Sequence, residues 1–428
     1  MAVQDGYGKS SGSESLVFAY DLKDTVNSYR GQPATNIWTS GNPNGHGSGI
    51  EIIQTNYFLG KVIDSGVVYR NYVTNPAQSD TGTYYNNGGL NMGSMSFSNL
   101  NPSTRYIQIS FDYYGVTPYR RFCCSGTGLN GYLGVTSTDS TTDTYGWDTT
   151  YSPGSGDDWN NDASRMGYWQ KISLIVALRG DKNPSNIWAL YIYMDAATQG
   201  EGYFANMIFT EHSTYPTGPI RWTSGTRSNT QGLLDLTGNS SIDLSNVSFD
   251  SNTQMTFDGT DDYATFTHSS GQEPLNNVTF ESIVKLTSTS NYKGMFMKSD
   301  YGNPNGHIAV HTVGNGYMRL ECSDTLGSVR YLDTGSIGTN TRFTPNETVH
   351  FTLTYDGTNI KTYINSVLKD TYTWTHGLGN NQGNLQLGRF WAGSWSGDIY
   401  QFKQYNRALT STEITNNYLK YKRQYGLT

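Results

Sequence analysis

The segment Ile399–Gly426 reads IYQFKQYNRALTSTEITNNYLKYKRQYG and contains the two local signals that decide how this chain folds. Its beginning belongs to the candidate strand Gly397–Tyr405. Thr410 then stands three residues before Glu413, which is the spacing of a capping box at the start of a helix. Apolar side chains beyond this cap recur at helical spacing, at Ile414, Tyr418 and Tyr421. We therefore predict a short closing helix that packs on a β-sandwich.

The composition favours an all-β protein. Among 428 residues there are 48 Gly, 33 Tyr and 9 Trp, and only 15% of the residues are charged. Such chains form short strands joined by tight turns, whereas helical proteins need more Ala, Leu, Glu and Lys, and disordered chains carry fewer aromatic residues. Apolar residues alternate with polar ones, as in a half-buried strand, at Ile107, Ile109, Phe111 and Tyr113. The length suits two antiparallel β-sandwich domains of the jelly-roll type.

Charge and hydropathy argue against several classes of partner. The net charge is −7 and there is no long basic run, so we do not expect nucleic-acid binding. No apolar stretch is long enough to span a bilayer, so we do not expect membrane insertion. Met1–Ser15 lacks the features of a signal peptide, and we expect folding in a cytoplasm. Cys123, Cys124 and Cys322 lack the spacing of a disulfide framework or a zinc site.

Three segments carry a family resemblance when they are taken together and in this order. They are Gly232–Asn239 (GLLDLTGN), Phe257–Tyr263 (FDGTDDY) and Ile399–Thr410, which continues to Gly426. As a set they resemble the laminin-G-like, concanavalin A-like jelly-roll domains found in many phage structural proteins. The resemblance covers the C-terminal half of the chain. It implies a concanavalin A-like jelly roll with a short C-terminal helix.

The order of these motifs bears on the domain organisation. In that family the domain opens with a strand like Leu16–Asp21 and a turn like Ser28–Gly31, and the segment around Asp235 normally follows soon afterwards. We infer that a second domain is inserted between them, and the simpler alternative is two consecutive domains. The middle region resembles carbohydrate-binding-module-like jelly rolls at Gly167–Ile172 and Gly202–Ile208.

The predicted boundaries divide the chain into four parts. These are a flexible arm at 1–14, a first strand and linker at 15–37 that we assign either to the C-terminal jelly roll or to a separate linker, a carbohydrate-binding-module-like jelly roll at 38–222, and a laminin-G-like jelly roll at 223–428.

The sequence lacks the residue patterns of an enzyme. Concanavalin A-like glycan hydrolases need two carboxylates that face each other across a cleft. Glu281 and Glu321 each stand alone on a candidate strand, and Asp261 and Asp262 would alternate across a strand and could not share a face. No nucleophile elbow, metalloprotease helix or phosphate-binding loop is present. We therefore predict a protein that is not an enzyme.

Aromatic side chains in loops are the better signal, because a sugar ring stacks its apolar face on Trp or Tyr. The candidates for glycan binding are Tyr145, Trp147, Tyr151 and Trp159 in a long middle loop, and Trp391 and Trp395 around a Gly-Ser turn. The alternative is that these aromatic residues pack in the core or in subunit contacts. In the same long loop, an oxygen cage for calcium is predicted at Asp157, Asp158 and Asp162. The alternative is a solvated acidic loop, and no cofactor is required.

The resemblance implies a structural protein displayed on the virion surface of a tailed bacteriophage, either as a capsid decoration or associated with the tail or a fibre. Its partners would be other virion proteins, and it would be present in many copies or as a homo-oligomer. Weak adhesion to host glycans would be an additional role, strengthened by avidity. A dedicated receptor-binding adhesin is the alternative, and a glycan hydrolase is a third hypothesis.

Overall fold

A computed structural model of the chain confirms the all-β prediction, with antiparallel sheets and one helix at the C-terminal end of the described residues. The structure describes residues 12–24, 27–38, 44–46, 49–72, 89–91, 100–116, 121–125, 166–177, 191–195, 201–216, 220–249, 255–273, 276–300, 303–323, 329–332, 340–378, 382–391 and 393–428.

The chain forms two compact units. The C-terminal unit comprises residues 1–31, 228–250 and 254–428, and the middle unit comprises residues 32–227 and 251–253. Across the described residues, no helix combines the length and the apolar character needed to cross a membrane.

The C-terminal unit begins with a 3-10 turn, Ser13–Ser15, and β1 (Leu16–Asp21). The strands of the middle unit follow: β2 (Ala34–Thr35), β3 (Asn44–His46), β4 (Gly49–Gln54), β5 (Tyr57–Phe58), β6 (Lys61–Val62), β7 (Val67–Tyr72), β8 (Gly89–Asn91), β9 (Tyr106–Gly115), β10 (Arg121–Ser125), β11 (Trp169–Ala177), β12 (Tyr191–Asp195), β13 (Glu201–His212) and β14 (Thr226–Arg227).

The chain then returns to the C-terminal unit, which also contains a second 3-10 turn at Ser270–Gln272. Its strands are β15 (Ile242–Asn246), β16 (Ser248–Phe249), β17 (Met255–Asp258), β18 (Tyr263–Phe266), β19 (Val278–Leu286), β20 (Asn291–Asp300), β21 (Asn303–Val313), β22 (Met318–Ser323), β23 (Val329–Leu332), β24 (Thr348–Tyr355), β25 (Asn359–Ile364), β26 (Val367–Thr373), β27 (Leu385–Leu387), β28 (Arg389–Phe390), β29 (Gly393–Ser394) and β30 (Ser396–Tyr405).

Two sheets of the C-terminal unit enclose its core. The helix-side sheet has the order β16-β17-β30-β19-β24-β25-β26, and β1 also pairs with β30. The open-face sheet has the order β15-β18-β27-β20-β21-β22-β23, and the short strands β28 and β29 join it at β20. Apolar side chains from both sheets form one buried cluster that includes Phe18, Phe280, Phe296 and Phe402. Burial of the apolar surface of this cluster is the main contribution to the stability of the C-terminal unit.

The closing helix α1 (Ser411–Tyr425) confirms the prediction from the capping box. Thr410 is the N-cap, and the Glu413 carboxylate accepts a hydrogen bond from the Thr410 backbone N–H at 2.8 Å. The helix ends at Gly426, whose φ of 65° lies in the left-handed region that favours glycine. Ile414 and Tyr421 are buried, so the predicted face is the one that packs on the sheet.

The middle unit contains a sheet with the order β11-β9-β13-β7-β4 and a second sheet with the order β10-β12-β8-β3. The apolar residues of β9 are buried, as expected, but its polar positions are buried as well, so the strand is not half-exposed. Asp112 accepts a hydrogen bond from the Asn206 amide at 2.7 Å and lies within 3.6 Å of the ammonium groups of Lys61 and Lys171. Both faces of β9 are therefore covered.

Candidate functional site

The candidate site lies on the outer surface of the open-face sheet. Along β21, Ile308 and Val310 enter the core, so the alternation of a strand directs His307 and His311 to the opposite face. Glu321 on β22 pairs with Ala309, which lies midway between the two histidines. Its carboxylate therefore lies between the two imidazoles. One carboxylate oxygen is 3.4 Å from His307 Nε2, and the other is 3.8 Å from His311 Nε2.

These three side chains form a buried imidazole–carboxylate layer, which we define as His307, His311 and Glu321. Burial alone would raise the pKa of the Glu321 carboxyl. The two imidazoles, whose Nε2 atoms approach the carboxylate at 3.4 and 3.8 Å, outweigh this effect and lower the pKa to about 2. Glu321 is thus ionised at every pH in the physiological range.

A short aromatic hairpin covers this layer. It consists of β28, Trp391 and β29, and it packs directly on the backbone of β20. Two glycines allow this approach. A Cβ on Gly294 would lie 2.2 Å from the backbone of Arg389, and a Cβ on Gly393 would lie 1.9 Å from the carbonyl oxygen of Tyr292. Contacts this short are forbidden, so a side chain at either position would lift the hairpin from the sheet.

The aromatic row consists of Tyr292, Phe390 and Trp391. Phe390 stacks on His311 with ring centroids 3.9 Å apart, and Trp391 stacks on His307 at 5.3 Å. Phe390 lies 6.2 Å from Tyr292 and 6.5 Å from Trp391. Tyr292 is 51% exposed and Trp391 is 44% exposed, whereas Phe390 is buried. Two accessible rings therefore lie on a platform that the imidazole–carboxylate layer supports from below.

The backbone of Tyr292 is strained. Its φ is 60°, in the left-handed region that a bulky residue rarely adopts, and the pairing of β20 with β21 shifts register on both sides of Gly294. Such conformations cost on the order of 1–3 kcal/mol and collect at functional sites, where a bulge re-aims a side chain. The Lys293 backbone N–H donates to the Thr312 hydroxyl at 3.0 Å, which helps to hold this bend.

The part of the chain that contains the candidate site matches a known protein family. Residues 258–415 match the model of the concanavalin A-like lectin/glucanases superfamily. This match confirms the laminin-G-like, concanavalin A-like part of the predicted resemblance. All members of the aromatic row and of the layer beneath it lie within the matched residues. The match does not extend to the middle unit, so its carbohydrate-binding-module-like character stays a prediction.

Solved structures give weaker likenesses to the chain. The botulinum neurotoxin serotype D binding domain is 15% identical with a TM-score of 0.34, covering 45% of this chain and 49% of the toxin chain. A serotype D ligand-binding domain in complex with N-acetylneuraminic acid is 16% identical with a TM-score of 0.35, covering 45% and 49%. Domain 4 of a Geobacillus stearothermophilus arabinanase, in complex with arabinotriose, is 17% identical with a TM-score of 0.33, covering 44% and 92%.

The chain spans about half the length of the toxin structures that it matches. No curated protein matches it in sequence.

The structure separates the two tryptophans that were predicted together in the concanavalin A-like domain. Trp391 is exposed at the aromatic row. Trp395 is fully buried, and its indole N–H donates to the Lys285 carbonyl oxygen at 3.2 Å. The prediction that Trp395 contacts a sugar is therefore wrong, because its ring packs in the core against Phe343. The other glycan candidates, Tyr145, Trp147, Tyr151 and Trp159, and the calcium candidates, Asp157, Asp158 and Asp162, lie outside the described residues.

The residues around Trp391 were not among the predicted site residues. In His307-Ile-Ala-Val-His311 the histidines are spaced for one face of a strand, and this was the available signal. Glu321 was interpreted as isolated because its neighbours come from another strand. Tyr292 gave no signal, since its position depends on the bulge in β20.

Two other acidic groups of the concanavalin A-like domain have structural roles. The oxygens of Asp258, Asp261 and Asp262 lie within 4.8 Å of one another, which corrects the expectation that Asp261 and Asp262 diverge. The reason is that β18 begins only at Tyr263, so both aspartates lie in the preceding turn. Asp262 accepts hydrogen bonds from the backbone N–H groups of Ser248 and Asp258 and fixes this turn.

Glu281 lies between the helix-side sheet and the closing helix, and it does not reach solvent. It accepts hydrogen bonds from His350 Nε2 and Tyr405 Oη, both at 2.8 Å, and from the Asn417 amide at 3.1 Å. Burial opposes its ionisation, but these donors and the nearby Lys403 outweigh burial and lower its pKa. Glu281 therefore docks the helix and does not face a ligand.

Proposed function

We propose that this protein is a non-catalytic, carbohydrate-binding surface protein of a tailed-bacteriophage virion. The observation that carries the binding role is the aromatic row, with Trp391 and Tyr292 exposed on either side of the buried Phe390. A pyranose ring has an apolar face that stacks on such a ring. The aromatic row lies within residues 258–415, which match the concanavalin A-like lectin/glucanases superfamily, and this match supports the assignment.

The buried layer gives the platform its rigidity. Because the rings of Trp391 and Phe390 rest on imidazoles that the Glu321 carboxylate holds in place, they need little reordering when a ligand binds. His307, His311 and Glu321 are positioning residues in this proposal. A single site of this kind binds weakly, and display in many copies would supply avidity.

Electrostatics favours binding over hydrolysis at this face. A glycosidase needs a second carboxyl group and an acid that stays protonated near neutral pH. Glu321, the carboxyl group of the layer beneath the aromatic row, has a pKa lowered to about 2, so it is not an acid of this kind. A reducing-sugar release assay on host polysaccharide tests this point, and sustained product formation by the wild-type protein would contradict the non-catalytic proposal.

The binding role is tested on a glycan array. We expect the wild-type protein to bind one group of glycans, and Trp391→Ala to lose that binding without a change in its melting temperature. Tyr57→Ala is the matched control, because Tyr57 is an aromatic residue that is 63% exposed in the middle unit. A binding pattern that survives Trp391→Ala and Tyr292→Ala would exclude the aromatic row as the contact.

The virion location rests on the resemblance of three segments to phage structural domains. Other virion proteins would be the partners, either in the capsid or in the tail, and host cytoplasm would be the place of synthesis. Immunogold labelling of purified particles with an antibody against this chain tests the location. Labelling at a fixed position on the particle is expected, and its absence from particles would refute this part of the proposal.

The dedicated adhesin is the second candidate function, favoured by the same exposed rings. It differs in predicting that particles bearing Trp391→Ala assemble normally but no longer adsorb to host cells. A protein whose main role is structural would allow adsorption to continue in that variant.

A further inference from the structure

We infer that the aromatic row takes an extended oligosaccharide with two stacked sugar residues, which lies along β21, and that one site engages more than a single sugar. This inference rests on the proposed carbohydrate-binding function. It concerns how many sugar residues one site engages.

The two exposed rings belong to different ends of the platform. Trp391 stacks on His307, whereas Tyr292 lies 5.7 Å from His311. The two histidines are four residues apart on a strand whose pairing with β22 is regular from Ile308 to Thr312. A strand rises by about 3.3 Å per residue, so the Cα atoms of the two histidines lie roughly 13 Å apart. This backbone spacing is longer than one sugar ring, and Trp391 and Tyr292 belong to its two ends.

Phe390 lies between the two exposed rings and is almost inaccessible to solvent. Its ring is inclined by only 10° to Tyr292, but by 66° to Trp391. The platform therefore offers two stacking surfaces in different orientations and not one continuous sheet of rings. Successive residues of a glycan chain are also rotated relative to one another, so a chain can place its rings on both surfaces.

A ladder of oligosaccharides tests this inference. Chito-, cello- and malto-oligosaccharides of one to six residues are titrated calorimetrically into the full-length protein. We expect affinity to rise at least tenfold between the monosaccharide and the trisaccharide of the ladder that binds, and then to level off. We also expect two monosaccharides, but only one trisaccharide, to bind each chain. Equal affinity and equal stoichiometry for all lengths would overturn the inference and leave the proposed binding function intact.

Variants sharpen the same experiment. Trp391→Ala and Tyr292→Ala should each lower monosaccharide affinity by no more than about twofold, because the other ring still binds. Each should lower trisaccharide affinity at least tenfold, because the chain then stacks on one ring. Tyr57→Ala should change neither value. If the wild-type protein binds neither the titrated oligosaccharides nor any glycan on the array, the proposed function fails, and this inference fails with it.

Discussion

The carboxylate of Asp235 accepts a hydrogen bond from the backbone N–H of Ala19 at 3.0 Å, across 216 residues of chain. The same carboxylate accepts backbone hydrogen bonds from Thr237, Asn239 and Ser240. It thereby fastens β1 to the segment that follows the middle unit. The segment around Asp235 therefore acts as a structural clamp, since its buried carboxylate accepts hydrogen bonds from four backbone N–H groups and from the Thr237 hydroxyl.

Replacing this clamp should destabilise the C-terminal unit. Each donor left unpaired costs about 1–3 kcal/mol, with partial compensation by water, so Asp235→Ala should lower the free energy of unfolding by on the order of 3 kcal/mol. Urea denaturation measures this change. Asp243→Ala is the control, since Asp243 is exposed and accepts one local bond from Ser245, and it should stay within about 0.5 kcal/mol of wild type. Equal losses in the two variants would contradict the clamp.

The two tryptophans of the segment 391–395 should respond differently to truncation. Trp395→Ala removes a fully buried ring and should cost about 3–5 kcal/mol, whereas Trp391→Ala should leave the melting temperature nearly unchanged. Thermal denaturation measures both variants side by side. Iodide quenching of tryptophan fluorescence gives an independent readout, because loss of the exposed Trp391 should reduce quenching and loss of Trp395 should not. Equal destabilisation would contradict the burial assigned to these rings.

Local sequence signals predicted some elements of the fold, but they could not distinguish Trp391 from Trp395. The capping box at Thr410 and the alternation in β9 are local signals, and they predicted the helix and a strand correctly. Trp391 and Trp395 stand in one short segment with the same kind of neighbours, so no local signal separates them. Their difference in burial arises because β28 and β29 pair as a hairpin that leaves Trp391 at its tip.

The site itself depends on strand register, which local patterns do not reveal. Glu321 lies between His307 and His311 only because β22 pairs with β21 so that Glu321 faces Ala309. A shift by one residue would turn Glu321 toward the core. The alternation in β21 could have indicated that the histidines share a face, but it could not have supplied their carboxylate partner.

The lowered pKa of Glu321 predicts a pH-dependent contribution to stability. The fold favours the ionised form, so the contribution is fully present above the ordinary pKa of 4.5 and is lost as the pH falls toward the folded value of about 2. We expect the difference in unfolding free energy between wild type and Glu321→Gln to shrink as the pH falls from 4.5 to 2. Urea denaturation at a series of pH values measures this difference. Parallel stability curves for the two proteins across that range would rule out the proposed ion pairing.

The aromatic hairpin approaches β20 so closely at Gly294 that glycan binding should depend on the absence of a side chain there. Gly294→Ala places a methyl group 2.2 Å from backbone atoms of the hairpin, so the hairpin must move outward and Trp391 must leave His307. We expect glycan affinity to fall at least tenfold, measured by calorimetry with the same oligosaccharide ladder. Gly271→Ala is the matched control, because its Cβ would meet only Val17 at an ordinary 3.5 Å, and it should bind like wild type. Because the hairpin lies at the surface, Gly294→Ala should still unfold cooperatively. Unchanged affinity in a folded Gly294→Ala protein would mean that ligand binding does not depend on the placement of Trp391 over the buried layer.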